Sequence, residues 1–203
     1  LVFLQGRAKM GTQRLADTKA AITDFEHTLK LDPNYAPAYV ELATAKVRLG
    51  DFEVTSNRIT AANAAFEESK LLIERALALD PNDAQAYVER GYLRAFSDNA
   101  GAEQDYRRGI ELNPNSARGY AGLATVLYED PRRRDEALAM IEQARRLDPL
   151  EPEYDVLKAT FFILGRDNLR EADALLVDVV ARHPLYKPGF ERLALVRRAE
   201  GNY

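Results

Sequence analysis

Leu31-Asp-Pro-Asn-Tyr-Ala-Pro-Ala-Tyr39 is the stretch that decides the fold, because it returns four more times along the chain. The other copies are Leu79-Asp-Pro-Asn-Asp-Ala-Gln-Ala-Tyr87, Leu112-Asn-Pro-Asn-Ser-Ala-Arg-Gly-Tyr120, Leu147-Asp-Pro-Leu-Glu-Pro-Glu-Tyr154 and Arg182-His-Pro-Leu-Tyr-Lys-Pro-Gly-Phe190. Their prolines, at positions 33, 81, 114, 149 and 184, are 48, 33, 35 and 35 residues apart. Self-similarity at such a period is the signature of a repeat protein.

Each repeat carries two apolar stripes with helical spacing. Upstream of each proline, a small residue is followed by a large one and usually by another small one, in the sets Ala21/Phe25/Thr28, Ser69/Ile73/Ala76, Ala102/Tyr106/Gly109, Ala137/Ile141/Ala144 and Ala172/Leu176/Val179. Downstream, an aromatic residue precedes a large and a small one, as in Tyr39/Leu42/Ala43, Tyr120/Leu123/Ala124 and Phe190/Leu193/Ala194. Offsets of three and four place side chains on one face of a helix. Each repeat is therefore predicted to be two helices, A and B.

The proline separates these two kinds of helix. The residue before a proline avoids the α conformation, so helix B is predicted to end there. We expect the proline itself at or near the start of the next helix, where its missing N–H costs nothing. Small residues at the helix crossing allow the axes to approach to about 8–10 Å, and stacked pairs then build an all-α solenoid.

The residue pattern resembles the tetratricopeptide repeat (TPR) along essentially the whole chain. In helix A it is an aromatic residue, a Leu and a small residue; in helix B it is Ala, a large residue and Ala, followed by Pro. The resemblance implies a single helix-turn-helix array over residues 1–203. Its five repeats would cover about 1–34, 35–83, 84–116, 117–151 and 152–186, with a terminal half-repeat at 187–203. Three residues depart from the pattern, since Arg90 replaces a Leu, Lys158 a small residue and Val179 an Ala.

Repeat 2 is about 14 residues longer than the usual TPR period. The extra segment lies between Phe52 and Ser69, and residues 59–68 have high helix propensity. Ile59, Phe66 and Ile73 are seven residues apart and continue the stripe of helix B. We predict a long helix B at about 59–79, projecting about two turns past its neighbours. The sequence leaves open whether this is an elaboration without a role or a docking helix, with Ile59 and Phe66, for another domain or protomer.

The insertion, together with Gln5-Gly-Arg7 in the first helix A and an elongated first turn, resembles one bacterial group of TPR proteins. In that group the array follows a winged-helix DNA-binding domain or a class III adenylate cyclase domain. The resemblance implies a regulatory or sensory module, and we expect the chain, which starts at Leu1 without Met, to be a fragment of a larger protein. The alternative is an accessory TPR segment of a cyclase or glycosyltransferase whose catalytic domain lies outside this chain.

Composition and motifs indicate no reaction chemistry. The chain has no Cys and two His, His27 and His183, which lie in different repeats and form no zinc pattern. It contains neither a nucleophile elbow nor a phosphate-binding loop. The net charge of −4 gives no reason to expect nucleic acid, and no apolar run approaches the roughly 18 residues of a membrane span. We therefore expect no enzyme activity, cofactor, metal, nucleic-acid partner or membrane contact.

The compartment is not encoded in the sequence. We favour the cytoplasm, with the periplasm as the alternative if the parent protein carries a membrane anchor.

The resemblance also implies where a protein partner binds, because the A helices of TPR arrays line a concave surface. Exposed positions there lie one, five and eight residues after the aromatic residue. In repeats 2 to 4 these are Val40, Thr44, Val47, Val88, Tyr92, Ala95, Ala121, Thr125 and Tyr128. The set is neutral and mildly apolar, which suits an extended or helical apolar segment of a partner.

The half-repeat would leave an apolar stripe without a helix B to cover it. We expect Phe190, Leu193, Ala194 and Arg197 to form this stripe. Uncovered terminal repeats reduce solubility. The prediction is that the parent protein continues past Tyr203, or that two copies pair through the half-repeat or the long helix.

Overall fold

The structure is a computed structural model that describes residues 1–12, 14–166 and 168–199. These residues contain α-helices, one short 3₁₀ turn and no β-strand, which confirms the all-α prediction. None of the described helices is long and apolar enough to cross a membrane. The helices are α1 (Val2–Met10), α2 (Leu15–Leu31), α3 (Ala36–Thr55), α4 (Ile59–Leu79), α5 (Ala84–Arg94), α6 (Asn99–Leu112), α7 (Ala117–Tyr128), α8 (Arg134–Leu147), α9 (Pro152–Gly165), α10 (Leu169–Arg182) and α11 (Lys187–Ala199).

The chain divides into two compact units, Leu1–Leu112 and Asn113–Tyr203. The first unit holds three helix pairs, in which each helix packs on the next and the A helices α1, α3 and α5 also contact one another in order. The second unit holds two pairs and the single helix α11, which packs against α9 and α10. Both units are thus stacks of helix pairs, while one continuous array over 1–203 stays a prediction.

The B helices end two residues before their prolines. After α2, α4 and α6, the intervening Asp or Asn forms a turn with its own side chain. Asp32 has extended backbone angles, and its Oδ1 accepts the N–H of Asn34 at 3.0 Å. Asn113 does the same for Asn115 at 3.1 Å. Such Asx turns explain the recurring Asp/Asn-Pro-Asn sequence.

The repeat prolines lie in these turns, near the start of the next helix as expected but outside it. Helix α3 begins three residues after Pro33. The first helical turns hold other prolines instead, Pro37 in α3 and Pro152 in α9. A proline is tolerated there because the first N–H groups of a helix have no partner within the helix.

The small–large–small sets of the B helices form the core, as the spacing predicted. All of these side chains except Thr28 are buried. At two glycines of the A helices, the large residue of helix B occupies the free space. A Cβ on Gly6 would lie 2.6 Å from Cε1 of Phe25, and one on Gly91 would lie 3.0 Å from Cδ1 of Tyr106. These close approaches fix the helix pairs, because a side chain on either glycine would displace the opposing ring.

Repeat 5 follows a different register from the one its aromatic residue suggested. Ala159 is fully buried in a cluster with Phe162 and Leu176. It lies ten residues after Pro149, the same offset that separates proline and small residue in repeats 2 to 4. The prediction that Lys158 replaces the small residue is therefore wrong, because an alignment on Tyr154 shifts helix A by one position.

The other two departures from the TPR pattern have local compensation. Arg90 donates from Nε and Nη2 to the two carboxylate oxygens of Asp105, at 2.9 and 2.7 Å, and Arg94 adds a contact at 2.8 Å. An ion pair between α5 and α6 thus stands where a Leu would pack. Val179 has room because Gly189 lies opposite, where a Cβ would be 2.9 Å from the Val179 Cγ1.

The extra residues of repeat 2 lengthen both of its helices. Helix α4 covers Ile59–Leu79, the bounds that the sequence predicted. Helix α3 also has 20 residues, whereas α5, α7 and α9 have 11, 12 and 14. The long helix B is therefore confirmed, and the additional length of helix A was not predicted. The turn between α3 and α4 contains Asn57 with φ of 57°, a conformation that Asn tolerates better than most residues, and an ion pair of Glu53 and Arg58.

Helix α11 buries part of the stripe that the sequence expected to be uncovered. Leu193 is buried with Val196 against α9 and α10, and Arg197 lies 3.1 Å from Asp173. Phe190 remains 46% exposed. Ala194 and Arg197 are exposed as well. The end of the predicted half-repeat, residues 200–203, lies outside the described residues.

Candidate protein-binding surface

Most of the nine predicted concave residues are buried, so their predicted exposure is wrong. Val40 packs with Ile73 and Ala86 in the core of the first unit, and Val47 and Thr44 are also buried. Val88 faces α6, where a Cβ on Gly109 would meet it at 2.7 Å. The family-derived positions fail here because neighbouring helices close over them.

Two of the three predicted concave residues in the second unit are also buried. Ala121 is buried, and the Tyr128 ring stacks on Phe161 with 4.1 Å between centroids and 4° between planes. The Tyr128 hydroxyl donates to the Phe161 carbonyl, and the Arg134 guanidinium lies 5.0 Å from the Tyr128 ring. Tyr128 is therefore a packing residue in this structure. Of the three predicted residues in α7, Thr125 alone is exposed.

The first unit has a line of polar contacts between α3 and α5, in which Asp51 and Gln85 are exposed, Tyr92 is half-buried, and Thr44 and Glu89 are buried. The Tyr92 hydroxyl donates to Oδ1 of Asp51 at 2.7 Å. Deeper along the same pair of helices, Thr44 donates to Oε1 of Glu89 at 3.1 Å and accepts from Gln85 Nε2 at 3.1 Å. Because Thr44 and Asp51 are seven residues apart on α3, they lie on one face of that helix. We call this line (Thr44, Asp51, Gln85, Glu89, Tyr92) the α3–α5 seam.

An exposed aromatic cluster lies beside the seam. Phe96 is 71% exposed, yet its ring contacts two others. The Phe66 ring lies 6.3 Å away at 25°, and the Tyr92 ring lies 5.4 Å away, edge to face at 85°. Both distances are typical of favourable ring pairs. We call Phe66, Tyr92 and Phe96 the aromatic cluster.

Sequence reasoning predicted two members of this cluster and missed the third. Tyr92 was expected on the concave face and Phe66 on the docking helix, but nothing indicated that they meet. Phe96 follows Tyr92 by four residues, which places both on one face of a helix, and this spacing was the signal available for it. The half-buried Ala95 precedes Phe96, and Ile59, the other predicted docking residue, is exposed at the start of α4.

The carboxylate of Glu41 on α3 has charged neighbours of both signs. The carboxylate of Glu41 lies 3.1 Å from Nε of Arg7. Burial nevertheless raises the pKa of Glu41, with further increases from the negative charges of Glu89 and Asp83. Arg48 also acts on Glu41, and its Nη1 donates to the Met10 carbonyl at 2.5 Å.

These features define a class of protein, the TPR-type helical-repeat fold. The features are helix pairs, contacts between a glycine of helix A and an aromatic residue of helix B, and Asx-Pro turns. Comparison with solved structures shows the same fold at low sequence identity. The TPR protein TTC0263 of Thermus thermophilus matches 97% of this chain and 98% of its own, with a TM-score of 0.73 and 21% identity. Neither a family model nor a curated protein sequence matches the chain.

Two further solved structures are similar over different shares of their length. YrrB, described as a TPR protein with an unusual peptide-binding site, matches 94% of this chain and 89% of its own, with a TM-score of 0.53 and 16% identity. The O-GlcNAc transferase of Thermobaculum terrenum matches 71% of this chain but 26% of its own, with a TM-score of 0.55 and 22% identity. These matches show a shared helical-repeat fold.

Proposed function

We propose that this chain is a non-catalytic scaffold that binds a peptide or partner segment on the aromatic cluster and the α3–α5 seam. The observation that carries the proposal is Phe96, a large apolar side chain that is 71% exposed and yet held between two other rings. Aromatic residues of this kind dominate the energetics of protein interfaces. The described peptide-binding site of YrrB, on the same fold, supports the proposal.

Three of the nine predicted concave residues remain accessible in the structure. Tyr92 and Ala95 belong to the accessible surface, and Thr125 is an accessible position of the second unit. The binding surface of the first unit is therefore proposed to combine the end of a helix A with the long helix α4.

Substitution of Phe96 tests the proposal. The Phe96→Ala variant removes the exposed ring without opening a buried cavity, so it should fold normally by circular dichroism. In affinity capture from bacterial extract it should lose proteins that the unsubstituted chain retains. Phe190→Ala, which removes another partly exposed ring on α11, is the matched control and should retain them. Equal capture by all three chains would contradict the proposal.

The regulatory role is a second part of the proposal. The resemblance of the long repeat to arrays that follow winged-helix or adenylate cyclase domains supports a sensory or regulatory module of a bacterial multidomain protein. The partial match to an O-GlcNAc transferase favours the alternative, an accessory segment of an enzyme. Sequencing the reading frame on both sides of residues 1–203 decides between them, since a DNA-binding domain supports the first and a catalytic glycosyltransferase domain the second.

A further inference from the structure

We infer that Gly50 and Asp51, two adjacent residues of α3, position the aromatic cluster for binding. The inference rests on the proposed function and adds how the binding surface is held in place before a partner arrives. Each of the two residues acts on one of the rings that contact Phe96. Gly50 leaves space for Phe66, and Asp51 holds Tyr92.

Asp51 acts through the ring of Tyr92. The Tyr92 hydroxyl donates to Oδ1 of Asp51 at 2.7 Å, and the same ring meets Phe96 edge to face, with 5.4 Å between centroids and 85° between planes. A tyrosine side chain has only two torsions, so a hydrogen bond at its far end restricts both of them. The contact with Asp51 therefore also fixes the surface against which Phe96 packs.

Gly50 acts through the ring of Phe66. Gly50 is buried, and a Cβ at this position would lie 2.7 Å from Cζ and 2.8 Å from Cδ1 of Phe66. A side chain here would displace that ring, whose centroid lies 6.3 Å from the centroid of Phe96 at 25°. The place of Phe66 beside Phe96 thus depends on the absence of a side chain at Gly50.

Phe96 needs this support because most of its side chain is in solvent. It is 71% exposed and follows the end of α5 at Arg94. A side chain that is ordered only on binding loses rotamer freedom at that step, which lowers affinity. Two fixed neighbouring rings restrict Phe96 beforehand. Gly50 and Asp51 are therefore positioning residues, which raise affinity through the rings and not by contact with the partner.

Peptide binding to Asp51 variants tests the inference. The probe is a twelve-residue peptide selected from a displayed random library on the immobilised 203-residue chain and kept only if it fails to bind Phe96→Ala. We expect Asp51→Ala to weaken binding about fivefold, the cost of ordering a side chain on binding. Asp51→Asn should restore binding, because its amide oxygen also accepts the Tyr92 hydroxyl. Glu111→Ala, which removes an exposed carboxylate of α6, should bind like the unsubstituted chain.

A second background separates positioning from direct contact with the peptide. Tyr92→Phe keeps the ring but removes the hydroxyl, so Asp51→Ala should weaken binding no further in a Tyr92→Phe chain. An equal loss in that background would show that Asp51 touches the peptide itself, which overturns the inference. Gly50→Ala should also weaken binding while the chain remains folded by circular dichroism, whereas Gly11→Ala should not. Unchanged affinity of Gly50→Ala would overturn the role of Gly50.

The order of the ring at position 96 can be measured without a partner. The chain contains no Trp, so Phe96→Trp introduces a single fluorophore at the exposed position. Its fluorescence anisotropy should fall when Asp51→Ala is added, because the side chain then moves faster on the nanosecond timescale. The anisotropy should be retained with Asp51→Asn.

The outcomes separate this inference from the function on which it rests. A peptide that needs Phe96 but binds Asp51→Ala with unchanged affinity would overturn the inference and leave the proposed function standing. An anisotropy at position 96 that does not respond to Asp51→Ala would do the same. If every selected peptide binds Phe96→Ala equally well, or none is selected, both are overturned.

Discussion

The hydroxyl of Tyr92 donates a 2.7 Å hydrogen bond to Oδ1 of Asp51, and this contact joins helix A of repeat 2 to helix A of repeat 3. The contact exists because the insertion in repeat 2 extends α3 beyond the length of its neighbours, which brings Asp51 level with Tyr92. The irregular repeat thus supplies one wall of the proposed binding surface. A regular repeat of TPR length would have turned into helix B before reaching this point.

Removal of the Tyr92 hydroxyl should weaken this junction slightly. We expect Tyr92→Phe to lower the free energy of unfolding by about 1 kcal/mol, the usual net value of one hydrogen bond. Urea unfolding followed by circular dichroism measures the change. The same substitution in an Asp51→Ala background should cost less, because the acceptor is already absent. Equal costs in both backgrounds would show that the bond does not stabilise the chain.

Gly50 should be intolerant of a side chain although it lies inside a helix. Gly-to-Ala changes in helices usually stabilise by up to about 1 kcal/mol. Here a Cβ would lie 2.7 Å from Cζ of Phe66, so the ring has to shift. We expect Gly50→Ala to destabilise by about 1–2 kcal/mol, and we expect the smaller side chain of Phe66→Leu to relieve much of that cost.

Gly11→Ala provides the control for this change. Gly11 has φ of −67°, and the nearest atom to its Cβ position is 3.4 Å away. The substitution should therefore be neutral or slightly stabilising. Thermal unfolding of the three variants distinguishes a steric effect at Gly50 from a general effect of helix propensity. A stabilised Gly50→Ala variant would mean that Phe66 adapts freely.

Arg90 offers a test of how the chain tolerates a departure from its repeat pattern. Its partner Asp105 has a side chain that is 5% exposed, so Arg90→Leu, which restores the family residue, leaves a buried carboxylate with Arg94 alone. We expect a loss of about 2 kcal/mol, since removing one partner of a buried pair is costly. Lys70→Ala breaks an exposed pair and should cost less than about 0.5 kcal/mol. A stabilised Arg90→Leu chain would contradict this reasoning.

The fold was predictable because the residue spacings that indicate its helices are local and recur in each repeat. Buried sets such as Ala137/Ile141/Ala144 recur at helical spacing, and the bounds of α4 followed from the stripe through Ile59 and Phe66. Repeat 5 was misaligned because its aromatic residue, Tyr154, occurs one position early, whereas the distance from Pro149 would have given the right register. Spacing from the turn is the firmer guide, because the turn geometry fixes where helix A begins.

The binding surface was less predictable because it depends on contacts between repeats. Tyr92 and Phe66 were both identified, but their meeting at Phe96 depends on the lengths of two helices and the absence of a side chain at Gly50. Burial of Val40 and Val88 likewise depends on how closely neighbouring helices pack. Positions transferred from a family pattern carry no information on such distances.

The pH dependence of stability should reveal the ionisation of Glu41. Burial and the charges of Glu89 and Asp83 raise its pKa above the ordinary 4.5, against the opposing effects of Arg7 and Arg48. The folded chain therefore holds this proton to higher pH than the unfolded chain, and stability falls as pH rises through the interval between the two values. Glu41→Gln cannot ionise, so its stability relative to the unsubstituted chain should increase across that interval.

Melting temperatures between pH 4 and pH 7 measure this difference. Glu111→Gln, which removes an exposed carboxylate from α6, serves as the control. The comparison should show a rising advantage for Glu41→Gln alone. A constant or falling difference would indicate that the pair with Arg7 outweighs the cost of burial.

The register of repeat 5 can be tested with two adjacent positions. Ala159 is fully buried beside Leu176 and Phe162, so Ala159→Leu overpacks a filled core and should cost about 2–3 kcal/mol. Lys158 is half-buried, and its Nζ lies 2.9 Å from Glu171 and 3.3 Å from Glu142. Lys158→Ala removes only these ion pairs and should cost about 1 kcal/mol or less. Urea unfolding of the two variants should therefore rank Ala159→Leu far below Lys158→Ala, because position 159 faces helix α10 and position 158 lies at its edge. The reverse ranking would restore the alignment on Tyr154 and place the lysine at the helix crossing.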